Sequence, residues 1–205
     1  MLDPRDQRLA RLFVAIVLGR WDEVRALRAA APPGEPDRAW REAVLQVHLF
    51  AGFPRQVEAY EVLSQVGGLG PLDPDEHAAE LDLPERGRAL FADVYGKNAT
   101  AVEERLVMHH PDFGAWILGH AYGRVLSRPG LSAARRELLA VGALAATGQA
   151  RQLASHARGA IHCGAEPAEV MAVLDVTEDL IRPERVIAAR HVMEKFSSSP
   201  KPTSS

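Results

Sequence analysis

A chain of 205 residues with 47% apolar side chains is long enough to bury a substantial core as one or two domains. Its net charge of −3 gives no electrostatic case for a nucleic-acid or anionic-membrane partner. A single cysteine, Cys163, excludes an internal disulfide and a zinc site built on cysteines, and it fits a reducing compartment.

The first segment, MLDPRDQRLARLFVAIVLGRW, holds an apolar run of only about six residues between charges, too short to span a membrane and the wrong shape for a signal peptide. The expected location is therefore cytoplasmic. Aromatic residues make up 6% of the chain, while the strong helix formers Ala, Leu and Arg are abundant. No segment alternates Val, Ile and aromatic residues with a period of two, so the expected fold class is all-α.

Residues 4–18 read as a helix, with Leu9, Leu12, Phe13, Ile16 and Val17 at three-four spacing. Asp3-Pro4 suits an N-cap followed by a first-turn proline, and Gly19 is the stop. Further helices are expected over 21–31, 37–51 and 54–65, broken by APPGEPD and by Gly52-Phe53-Pro54. Residues 66–83 read as a linker, 84–96 and 98–109 as short helices, and 111–127 as a longer helix carrying Trp116, His120 and Tyr122. Residues 196–205 read as a disordered tail.

The breakers recur. Leu2 and Leu131, Gly19 and Gly148, and Pro54 and Pro183 are each 129 residues apart, and Ala43, Val44, Leu45 and Val47 align with Ala172, Val173, Leu174 and Val176. This phase implies a tandem repeat, with one degenerate copy over 1–65 and a second over 84–195.

The most informative stretch is Arg128 to Glu169, expected to form two helices joined at Thr147-Gly148. Glu137 lies eleven residues before Gly148 and His156 eight after it, so antiparallel arms would bring a carboxylate and an imidazole to similar depth. Glu137 shares a stripe with Val141 and Leu144, and His156 shares one with Gln149 and Gln152, which together would line a small pocket. Against this stands a plain reading in which Glu137 is a first-turn residue favoured by the helix dipole and His156 is structural. Arg128 leads into the hairpin, where a guanidinium would hold a substrate carboxylate. His156 and His162 are six apart, which is not a metal-ligand helix spacing, so no metal is expected.

The run RELLAVGALAATG, then QL, SHARGAIHCG and EPAEV, preceded by AYGRVLSRPGLS, resembles the carboxymuconolactone decarboxylase family, whose relatives include alkylhydroperoxidase D. The resemblance implies an alkylhydroperoxidase D-like helical bundle. It also implies that Glu137 and His156 are active-site residues acting without a cofactor. The two redox cysteines of the peroxidase branch correspond to Gln149 and Gln152, so disulfide-based peroxidase chemistry, which needs two thiols, is not expected. In the first copy Arg8 and Leu27 stand at the Glu137 and His156 positions, while Gln46, His48, Phe50, Gly52 and Pro54 resemble a later motif of the family. Each copy keeps what the other lost, which implies one composite site: Glu137 and His156 with Gln46 and His48. His120 and Tyr122 are expected lining residues, because this helix flanks the site in the family.

Two functions follow from the resemblance. One is acid–base-assisted decarboxylation or isomerisation of a small carboxylated lactone, with Arg128 orienting the carboxylate. The other is a non-catalytic oligomeric scaffold or small-ligand binder derived from such an enzyme. Members with one copy per chain form rings, often of six, so a two-copy chain would form a similar ring from three.

Overall fold

A computed structural model of the protein describes residues 1–76 and 83–197. Residues 77–82 of the expected linker and 198–205 of the expected tail lie outside the described residues. Every regular element among the described residues is helical, in the order α1 (Pro4–Leu18), α2 (Trp21–Ala29), α3 (Asp37–Gln46), α4 (His48–Ser64), α5 (Leu83–Tyr95), α6 (Ala99–His109), α7 (Pro111–Ala115), a π-helix (Trp116–Leu126), α8 (Ala133–Thr147), α9 (Ala150–His162), α10 (Pro167–Asp175) and α11 (Pro183–Ser197), with short 3₁₀ helices at Gly96–Asn98 and Glu178–Leu180. No described helix is long and apolar enough to cross a membrane.

Two helices form the centre, and their composition explains why. In α1 the run Leu12 to Val17 is buried, and in α8 the run Arg136 to Ala146 is buried. A helix that is inaccessible on all sides must lie inside the bundle. Burying an aliphatic or aromatic side chain such as Leu12 or Phe13 stabilises the fold by about 1.5–3 kcal/mol each. The second-half helices α9, α10 and α11 pack on α8 in one apolar cluster; α2, α3 and α4 pack around α1 in another. A third cluster joins α5 to the π-helix through Phe91, Val94, Leu118, Tyr122 and Leu126.

The helix ends are set locally. Asp3 accepts a hydrogen bond from the Asp6 amide at 2.8 Å, Pro4 opens α1, and Gly19 closes it in the left-handed conformation at φ 69°. Ser132 caps α8 by accepting from the Arg135 amide, and Gly148 closes it at φ 75°. The residues that enter the following helices match too: Arg20 has φ −86° and ψ 70°, Gln149 φ −92° and ψ 67°. The starts Pro4 and Ala133, and Trp21 and Ala150, are each separated by the 129 residues read from the sequence.

Where α1 meets α8, residues at that same separation face one another. Leu2 and Leu131, Asp6 and Arg135, and Leu9 and Leu138 line a shallow cleft with a volume of only about 10 Å³. Arg135 Nε donates to Asp6 Oδ2 at 2.9 Å across it.

The structure departs from the sequence expectation in three places. The helix expected over 37–51 ends at Gln46, where Val47 makes a tightened turn. The helix expected over 54–65 begins instead at His48 and is kinked at Gly52, whose φ of 77° and ψ of 166° are not helical. The segment expected as one α-helix over 111–127 becomes a short α-helix and then a π-helix. There α5 crosses so closely that a Cβ at Gly87 would lie 1.9 Å from the Leu118 carbonyl oxygen, and one at Gly123 2.0 Å from that of Leu83. Only glycine fits either position.

The described part of the expected linker is tied down. Arg28 donates to the Gly68 carbonyl at 3.0 Å, Arg41 to that of Gly70 at 2.9 Å, and Asp37 accepts from the Gly70 amide at 2.7 Å. Arg41 also pairs with Glu76 and holds its carboxyl down at about 2, well below the usual range.

Candidate active site

The α8–α9 hairpin brings Glu137 and His156 into contact. Gly148 reverses the chain, and His156 Nδ1 donates to Glu137 Oε2 at 2.7 Å. Glu137 is 2% exposed, and the His156 side chain retains 14% of its surface. The carboxylate lies over Gly159, three residues beyond His156 on α9: a Cβ there would sit 2.8 Å from Glu137 Oε2 and 2.7 Å from Val94 Cγ1. The glycine is thus what lets a carboxylate lie against the α9 backbone.

The contact fixes the imidazole chemically. A carboxylate only accepts, so the Nδ1 proton belongs to the shared hydrogen bond, and in the neutral imidazole Nε2 is left with a lone pair. Nε2 makes no hydrogen bond among the described residues. Burial works against the imidazolium, but the charge and hydrogen bond of Glu137 outweigh it and raise the His156 pKa above 6.5. Burial and the negative charge of Glu137 likewise push up the phenols of Tyr95 and Tyr122 and bring the Cys163 thiol to about 11. A thiol held that high is almost wholly protonated near neutrality and is a poor nucleophile.

The first half reaches this site through the turn after α3. The Phe50 ring meets the His156 imidazole edge-on, with centroids 6.0 Å apart at 70°, and meets Phe13 of α1 at 5.7 Å. Gln46 is fully buried and donates through Nε2 to the Arg136 carbonyl at 2.9 Å. His48 donates through Nδ1 to the Leu45 carbonyl at 2.7 Å, faces His120 Nε2 at 2.8 Å through its own Nε2, and stacks on Phe53 at 4.7 Å. Tyr122 is buried against Phe91 and Tyr95.

Three expectations are corrected. Arg128 is not free to orient a substrate: its guanidinium forks onto Glu42, with Nε and Nη2 at 2.8–3.1 Å from the carboxylate oxygens. Glu42 is fully buried and also takes Arg136 Nη2 at 2.7 Å, so a single carboxylate neutralises two cations and Arg128 is drawn inward. Gln149 and Gln152 are exposed and do not form a polar wall with His156. Gln149 has left the helical conformation to enter α9, so it no longer follows the stripe. Finally, the cleft between α1 and α8 lies elsewhere; neither Glu137 nor His156 lines it.

Sequence reasoning missed Tyr95, Glu42 and Arg136 as neighbours of the site. An acid on the buried face of α3, beside Ala39, Ala43 and Gln46, was the available signal for Glu42. Its partners lie 86 and 94 residues away, beyond any local pattern. Among the described residues no group of three or more His, Cys, Asp or Glu side chains is close enough to hold a metal ion.

The comparisons with known proteins bear on this same region. The chain is 29% identical to peroxisomal protein 2 of Schizosaccharomyces pombe over 145 residues, which cover 68% of the chain and 67% of the relative. It is 26% identical to peroxisomal protein 2 of Saccharomyces cerevisiae over 162 residues, 65% of the chain and 57% of the relative. The chain thus spans only part of each. The model of the carboxymuconolactone decarboxylase family matches residues 111–195, a span that holds the π-helix, the α8–α9 hairpin, Glu137 and His156. With the all-helical architecture and the motif around Gly148, this match shows that the segment from Pro111 to Lys195 is similar to the carboxymuconolactone decarboxylase family.

Proposed function

We propose that the chain is a proton-transfer enzyme of the carboxymuconolactone decarboxylase type, with His156 as the general acid–base and Glu137 as the group that orients it. The observation that carries this reading is the 2.7 Å contact from His156 Nδ1 to Glu137 Oε2, with Nε2 unbonded. An imidazole held by a buried carboxylate presents one fixed nitrogen to a reacting group, the arrangement in which histidine removes and returns protons near neutral pH. The substrate class is a small carboxylated lactone, undergoing loss of carbon dioxide or isomerisation. Arg128 has no part in binding it, since Glu42 already occupies its fork.

The test is turnover of a panel of carboxylated lactones, followed by carbon dioxide release and by ultraviolet absorbance. His156→Gln should abolish turnover, and Glu137→Gln should lower it by about 10²–10⁴-fold. Undiminished turnover in a folded His156→Gln protein would end the proposal.

A second reading, a non-catalytic ligand binder or scaffold, is favoured by the small exposure of His156. Thermal stabilisation by small carboxylic acids without any turnover would select it. Either reading accommodates assembly of three chains into a ring. Phe53, Val57 and Trp116 are 61, 67 and 66% exposed, apolar surface of the kind that a second copy covers. Composition favours a cytoplasmic location, whereas the name of both relatives is that of a peroxisomal protein. The proposed chemistry does not depend on which is right.

A further inference from the structure

The turn that carries Phe50 is bounded unequally. Before it, the Val47 amide bonds the Val44 carbonyl in a tightened turn, but Val47 keeps helical φ and ψ of −55° and −38°; after it, Gly52 leaves the helical conformation altogether. Residues 48–51 are therefore one helical turn that continues from α3 and breaks at Gly52. This turn places Phe50 against His156 and Phe13, packs Leu49 into the α5–π-helix cluster and Ala51 into the α1 cluster, and sets His48 against His120 of the π-helix.

The imidazole contact has a definite proton count. The ring centroids lie 5.1 Å apart, close to the largest separation that a 2.8 Å Nε2–Nε2 contact permits, so the two nitrogens meet head-on. Two lone pairs cannot face each other, and neither can two N–H groups; the contact holds one proton. His48 already donates its Nδ1 proton to the Leu45 carbonyl, so neutral His48 offers a lone pair at Nε2 and His120 supplies the N–H. A proton on His120 leaves this bond intact. A second one, on His48, sets N–H against N–H and cation against cation.

Few neighbours oppose that repulsion. Burial first, then His48 and the cationic Arg124 of the π-helix, hold the His120 pKa below its ordinary value. On α3 Glu42 is engaged by Arg128 and by Arg136 of α8, on α4 Arg55 lies over Trp21, and His156 of α9 is bonded to Glu137. No ion pair among the described residues involves either imidazole of the pair.

We propose that His48 and His120 are positioning residues that hold the 48–51 turn closed over His156, and that the turn is released when both imidazoles are protonated. The consequence for the site rests on the reading of His156 as the reacting group; the latch itself does not. Phe50 is the covering element, Gly52 the hinge, and the imidazole contact the fastening.

Hydrogen exchange of the full chain, read by mass spectrometry and corrected for intrinsic exchange against α8, tests the latch without any substrate. As pH is lowered from neutrality toward the acid limit at which α8 keeps its protection, the protection of residues 48–51 should fall roughly tenfold or more in the wild-type protein. His120→Gln keeps a donor to His48 but never charges, so its profile should stay flat. A flat wild-type profile, or a His120→Gln profile that falls as the wild type does, overturns the proposal. The cover is tested separately at one pH near neutrality. Carbethoxylation of His156 by diethyl pyrocarbonate should run several-fold faster in His120→Ala, and equal rates would show that the turn covers nothing. Because neither measurement uses turnover, an inactive enzyme with an intact latch and an active enzyme without one are separate outcomes.

Discussion

The two hairpins, α1–α2 and α8–α9, share their start positions, closing glycines and entry conformations, yet they use their polar residues in opposite ways. In the first, Arg8 stands where the second has Glu137, and it pairs with Glu35, which also accepts from Trp40 Nε1 at 2.7 Å. Arg11 reaches Glu23 at 2.7 Å and Asp179 at 2.7 Å, so that side is closed by ion pairs. In the second hairpin the buried carboxylate is bonded to an imidazole that keeps one nitrogen free. The same helix–glycine–helix backbone carries a set of ion pairs in one half and a buried carboxylate–imidazole contact in the other.

The largest effect should come from breaking the join between the halves. Glu42→Ala leaves Arg136, 1% exposed, without its carboxylate, and an unpaired buried charge costs about 3–5 kcal/mol in denaturant unfolding. Next is Gly159→Ala, whose added methyl meets Glu137 and Val94; about 1–3 kcal/mol of destabilisation and loss of the Glu137–His156 contact are expected. The corresponding first-half position is already Ala30, so Ala30→Gly should shift stability by less than about 1 kcal/mol. Equal effects at 30 and 159 would erase the contrast.

A smaller effect is the pH dependence of the pair. Since the folded-state pKa of His156 is raised above 6.5, the stability it contributes is complete below 6.5 and is lost as pH rises through the raised value. His156→Gln should flatten that part of the unfolding profile, and no replacement in the first hairpin at Leu27 should do so. Turnover should run the other way, rising over the same range as the neutral base forms. The smallest effect is Arg25→Ala, which removes an exposed pair with Asp22 and should change stability by less than about 0.5 kcal/mol.

What was legible in the sequence was local. Asp3, Gly19, Ser132 and Gly148 end their helices through bonds within a few residues, so composition reveals them. The Glu137–His156 contact was legible for the same reason, being nineteen residues long and set by one turn. The fate of Arg128 was not, because Glu42 lies 86 residues away and nothing near Arg128 announces it. The π-helix was also hidden: its extra residue per turn shifts His120 and Tyr122 relative to α5 without altering the apolar pattern of Leu118, Tyr122 and Val125. Gln149 misled because three-four spacing presumes a helical backbone at every position, and its φ and ψ are those of an entry residue.

The facing of Asp6 and Arg135 across the α1–α8 cleft constrains how the chain can recombine. Set two N-terminal halves against each other through that face and aspartate meets aspartate; set two C-terminal halves together and arginine meets arginine. Only the unlike combination brings opposite charges together there, so at this point the face favours the pairing of a first half with a second. Fragments cut in the segment between α4 and α5 and mixed in solution should accordingly find their unlike mates in preference to their own kind.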